Sequence, residues 1–217
     1  MSYRLTLSEA ESSLRKAARA VGLDWGLAEE AGKTARWLAA FDLPGPELVF
    51  AHLQHLDGAD YQSFVPDCGR EPWRAPGGLL CPIVSGAALA DRSARMVAGK
   101  TFDLGRTAYP LLLVAALGQA ARHHATAFAT RWAGVQVNCF ADGLQIIGAR
   151  EDLLLAEVDT VSCARDDEAF AEIEASTLAY EIDEETYRRI DALAFKTYVP
   201  ASEASRAGAG AGLTDND

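Results

Sequence analysis

The chain has 217 residues, with 20 Lys and Arg against 31 Asp and Glu, a formal net charge of -11. That length can bury a core without staples, as one large domain or two small ones. The acidic field and the absence of any Lys/Arg run longer than two disfavour nucleic acid and anionic membrane surfaces as partners.

Ser8 and Glu11 have the spacing of a capping box, and Ala10, Leu14, Ala17, Ala18 and Val21 then keep helical spacing up to Gly22. Asp24 is the next N-cap, and a second helix runs to about Phe41. Pro44-Gly45-Pro46 breaks the chain before a third helix over roughly Glu47 to Leu56. Asp57 to Gly78 is an irregular connection rich in Gly, Pro, Asp and Arg, of a length that often carries function. Leu79 to Val84 has strand character, Gly86 to Val97 is an Ala-rich helix, and Thr101 to Leu104 reads as a short strand. Pro110 suits the first turn of a helix reaching about His123. Thr126 to Trp132 and Val135 to Ala149 form the clearest β region, with a tight turn expected at Asp142-Gly143. Ala156 to Cys163 and Ala171 to Ile182 read as further strands, and Asp183 caps a last helix to about Ala194.

Helices first and strands clustered later predict an α+β fold: a helical N-terminal layer packed on a mostly antiparallel sheet. Residues 1–195 are expected to form a single domain, with a helical part over 1–57 and a mixed part over 79–195. Residues 196–217 form a Gly/Ala-rich C-terminal tail, disordered by composition. No segment reaches the ~18 to 20 apolar residues of a membrane helix, and no basic-then-apolar leader opens the chain. A cytoplasmic location is expected.

Several side chains are candidates for chemistry. Glu29 and Glu30 open the second helix and can serve as general acid or base, or simply favour its dipole. Arg36, one or two turns on, can clamp a carboxylate through its planar fork. Cys81 precedes a helix start, where a thiol can be activated as a nucleophile; a small buried hydrophobe is the alternative. No His lies near it in sequence. Ser85 is a second nucleophile or anion contact. Arg70 and Arg74 beside Trp73 suit an anionic or planar ligand, unless Trp73 only pins the loop. His52 and His55 share a helix face and could ligate a metal with Asp57 or Asp60, but no full ligand set is visible. Cys68, Cys81, Cys139 and Cys163 lack C-x-x-C spacing, so reduced thiols are expected. Gly208 to Gly212 lacks the strand and helix of a phosphate loop.

Trp25 to Gly32 with Arg36-Trp37, Leu79 to Ala88, and Thr197 to Asp217 together resemble a family of uncharacterised proteobacterial proteins. The resemblance implies no assigned activity, and a C-terminus that is not dispensable.

Two functions fit these readings. One is a cofactor-independent hydrolase or isomerase acting on a small polar metabolite with a carboxylate or amide. Glu29, Glu30 and Cys81 would be its catalytic groups, Arg36, Arg70, Trp73 and Ser85 would bind substrate, and the tail would close the site. The other is an accessory or assembly subunit, or homo-oligomer, whose tail binds a partner through Tyr198 and Val199.

Overall fold

A computed structural model of the chain describes residues 2–166, 173–175 and 178–197. The expected tail, with Tyr198 and Val199, lies outside the described residues. Strand β1 (Ser2–Thr6) runs straight into helix α1 (Leu7–Ala20). Thr6 caps that helix: its Oγ1 accepts from the Glu9 amide at 3.2 Å, and its own amide donates to Glu9 Oε2 at 2.8 Å. The capping box therefore sits two residues before Ser8, because strand pairing holds the chain extended as far as Thr6. Asp24 caps α2 (Trp25–Ala40), its Oδ1 accepting from the Leu27 amide at 3.0 Å. Helix α3 (Gly45–Leu56) then crosses α2 closely. A Cβ on Gly45 would lie 2.6 Å from the Ala35 carbonyl oxygen, so only glycine allows this crossing.

The long connection holds a 3-10 turn at Tyr61–Phe64 and a bridge between Asp67 and Arg74. The expected strand at Leu79 to Val84 is replaced by one parallel bridge, Leu80 to Thr107, and by helix α4 (Pro82–Asp91). Pro82 explains the change, since it has no N–H for a ladder and its fixed φ suits a first helical turn. The helix expected over Gly86 to Val97 is thus split at Arg92, with α5 (Ser93–Val97) following.

Strands β2 (Phe102–Leu104) and β3 (Thr107–Ala108) lead to α6 (Leu113–His124). Next come β4 (Phe128–Trp132), β5 (Val135–Cys139), β6 (Gly143–Ile147) and the short α7 (Arg150–Leu153). Strands β7 (Glu157–Val158), β8 (Val161–Arg165), β9 (Ile173–Glu174) and β10 (Ala179–Asp183) precede α8 (Glu184–Phe195). The two long strands expected late in the chain are therefore each divided, and β9 and β10 belong to different sheets.

The main sheet has the order β2-β8-β4-β5-β6-β9 and is antiparallel throughout. The hairpin turn expected at Asp142-Gly143 falls one residue earlier, at Ala141-Asp142, closed by the Phe140 amide on the Gly143 carbonyl at 3.0 Å, and the positive φ angles lie instead in the β4–β5 turn, 41° at Ala133 and 81° at Gly134. Two successive positive φ angles make the twist that a two-residue hairpin requires. Helix α6 is buried along almost its whole length, against α2 and α4 on one side and β4 and β5 on the other. It joins the helical layer to the sheet and makes the fold α+β. A second, two-stranded sheet pairs β1 with β10, and α8 packs on α1 beside it. Among the described residues, no helix is long and apolar enough to cross a membrane.

Candidate functional site

Helix α3 carries Val49, Leu53 and Leu56 on its buried face, and His52 lies on that same face. The spacing that buries the leucines therefore drives an imidazole into the core. Cys81 reaches the same place from the other side. Its amide donates to the Phe64 carbonyl at 3.1 Å, and Leu80 is tied to Arg106 and Ala108 through backbone hydrogen bonds of 2.9 and 3.2 Å. These bonds anchor the entry to α4 on the Tyr61–Phe64 turn and on the segment that carries β3. The Cys81 Sγ then lies 3.1 Å from His52 Nε2, and both residues are fully buried.

Burial sets the charge state of this pair. It pushes the Cys81 thiol up to about 11, with the Val84 and Ile83 amides pulling weakly the other way. It pushes the His52 imidazole down to about 3, helped by the nearby His55. At neutral pH the pair is a thiol beside a neutral imidazole, since desolvation disfavours each charged form. His52 Nδ1 is buried without a hydrogen-bond partner, and so is Ser85 Oγ. Ser85 stands one helical turn beyond Cys81, its amide bonded to the Cys81 carbonyl at 2.9 Å, which puts the two on one face of α4.

Two tyrosines border the pair. Tyr109 presents its ring edge to His52 at 6.1 Å between centroids and to His55 at 5.9 Å. Its hydroxyl lies 3.4 Å from His55 Nε2. Tyr109 has φ 40° and ψ 64°, a left-handed conformation that costs a non-glycine residue about 1–2 kcal/mol. Such strain collects at functional positions. Tyr61 is half-buried, its phenol pushed up to about 12 by burial first and then by Cys81 and Asp24.

The other candidates are scattered. Glu29 is exposed, and Glu30 pairs with Lys33 at 2.7 Å on the outer side of α2. Arg36 is half-exposed and bonds Glu11 of α1 at 2.9 Å. Arg70 is exposed on the loop before Pro72. Trp73 is fully buried with its ring 5.3 Å from Phe102, and the Arg92 guanidinium lies over it at 5.6 Å. It pins the loop and offers no face to a ligand. Asp57 pairs with Lys196 at 2.8 Å, and Asp60 accepts from the Gln62 amide at 3.0 Å. Among the described residues, no three His, Cys, Asp or Glu side chains gather as a metal site. Of the expected site residues, Cys81 and Ser85 thus come together at the start of α4, and the imidazole beside the thiol is that of His52. The signal for it was a histidine on an otherwise apolar helix stripe.

Residues 5–79 match the model of a family described as a protein of unknown function (DUF3726). The matched stretch spans α1 to α3 and the loop after them. It includes His52 and stops just before Cys81. No curated protein matches the chain.

Proposed function

We propose that the chain is a thiol-dependent enzyme acting on a small ester, thioester or amide, with Cys81 as nucleophile and His52 as general base. The observation that carries this reading is the 3.1 Å separation of Cys81 Sγ and His52 Nε2 at the start of α4. A nucleophile within hydrogen-bond reach of a base is the arrangement covalent catalysis needs.

Because burial holds the thiol protonated, the proton moves during attack and no thiolate stands ready. The sulfur bonds to the substrate carbonyl carbon, its proton passes to His52 Nε2, and the carbonyl electron pair moves to oxygen. Negative charge there is favoured by the positive end of the α4 dipole, while the first amides of that helix, those of Ile83 and Val84, hold the Cys81 sulfur. The tetrahedral intermediate collapses, and the leaving alcohol, thiol or amine takes the proton from His52. Water, deprotonated by His52, then cleaves the acyl–sulfur bond, frees the acid and restores the thiol. Glu29 and Glu30 take no part, since they face outward on α2. Substrate reaches the thiol when the half-buried Tyr61 segment moves aside, a step the full burial of Cys81 requires.

The test is acylation by p-nitrophenyl acetate, followed by peptide mapping. Cys139 and Cys163 are equally buried but, among the described residues, have no imidazole in hydrogen-bond reach, so they serve as internal controls. Cys81 should acylate at least tenfold faster than either, and His52→Gln should remove that advantage. Equal labelling of the three thiols, or none at Cys81 in the folded protein, would overturn the proposal.

A further inference from the structure

A cleft of about 400 Å³ opens between α1, α2, α6 and the β5–β6 turn, away from Cys81. That volume falls at the small end of ligand sites. Its floor is Trp37, half-buried, with the ring 4.6 Å from Phe41. Gly118 of α6 makes room for the indole: a Cβ there would lie 2.3 Å from Trp37 Cζ2. Lys33, Arg36 and Arg122 line the walls, against the carboxylates of Glu11 and Asp142. Each of these cations is ion-paired, Lys33 with Glu30, Arg36 with Glu11 and Arg122 with Asp142, so the wall is charged but balanced, and what it offers an anion is spare N–H donors. Arg36 spends one N–H on Glu11 Oε2 at 2.9 Å, and Arg122 reaches the Ala141 carbonyl at 2.9 Å and the Asp142 carboxylate. A guanidinium has five N–H donors, so the Glu11 contact leaves Arg36 able to receive a carboxylate as well.

We infer that this cleft binds a small planar carboxylate, its ring over Trp37 and its anion on Arg36. Apolar body and charged end are matched by the two halves of the lining: an aromatic floor and the remaining N–H donors of Arg36. The site is separate from the thiol pair, and its occupancy is independent of whether Cys81 is a nucleophile. A bound acid would bridge α1, α2, α6 and the β5–β6 turn, and so hold the helical layer against the sheet.

The test is calorimetric titration of the full chain with benzoate, benzamide and acetate. Benzoate should bind saturably, and benzamide and acetate should each bind at least tenfold more weakly. Arg36→Gln changes a half-exposed side chain and should leave the fold intact. It should weaken benzoate by about 10- to 100-fold, the loss expected for a hydrogen bond to a charged group. Trp37→Leu should weaken benzoate while leaving acetate unchanged. Absence of saturable benzoate binding, or binding unaffected by Arg36→Gln, would overturn the inference.

Discussion

The His52 imidazole makes stability depend on pH in a way that one substitution isolates. Its pKa falls from 6.5 to about 3 on folding, because the core desolvates the cation. The unfolded chain takes up a proton below pH 6.5, and the native chain does not until about pH 3. Protons bound to the unfolded state alone pull the equilibrium towards it, so stability is lost as pH falls through that window. Each unit costs about 1.4 kcal/mol, so about 2 kcal/mol is lost by pH 5 and about 4 kcal/mol by pH 3, where the native imidazole begins to charge. His52→Gln keeps a neutral polar side chain at every pH and removes this loss. Carboxylates titrating in the same range affect both proteins alike and cancel in the comparison. Urea unfolding of both proteins at pH 7, 6 and 5 measures the difference. The variant should be the weaker protein at pH 7, because it disturbs a packed core. Its deficit should shrink by about 2 kcal/mol between pH 7 and pH 5. Parallel curves for the two proteins would mean that His52 charges near its ordinary pKa, and hence that water reaches the pair at rest.

Two glycines give predictions of a different kind. Gly45→Ala forces a Cβ to within 2.6 Å of the Ala35 carbonyl and of Leu38 Cβ. Neither the α2 backbone nor a β-carbon can swing aside, so we expect about 2–3 kcal/mol of destabilisation, read as a lower urea midpoint. A loss under about 0.5 kcal/mol would show that the α2–α3 crossing is slack. Gly118→Ala gains about 1 kcal/mol of helix propensity but drives the Trp37 ring off its seat, at about 1–3 kcal/mol. The net change in stability should be small, and benzoate affinity should fall at least tenfold. Retained affinity would separate the cleft from the Trp37 position.

Local signals in the sequence reached most of the helices. Asp24 and Asp183 cap α2 and α8 as their side chains suggest, because capping is settled within three residues. The α+β class follows from the order of elements. What failed was settled by distant partners. Ser2–Thr6 carries no strand signal of its own, and it is a strand only because residues 179–183 pair with it. Ala133 carries a positive φ that its residue type does not advertise. In the site, Cys81 was legible as a thiol before a helix, but the imidazole beside it was not, since His52 lies 29 residues earlier. Trp73 looked like a ligand platform because its loop is polar, and only packing against Phe102 shows where the ring goes. Arg36 reads as a candidate anion clamp, and nothing local shows that it pairs with Glu11 of α1, 25 residues earlier, and stands apart from Cys81.

The β1–β10 clasp has a consequence for how the protein is made. Leu5 faces Tyr180 in that ladder, and Tyr3 stacks on Tyr187 at 4.1 Å. A ribosome adding about 5–20 residues per second leaves the first strand without its mate for on the order of 10–40 s. Throughout that delay the α1 flank that α8 will cover stands bare, the interval in which a nascent chain most needs a chaperone.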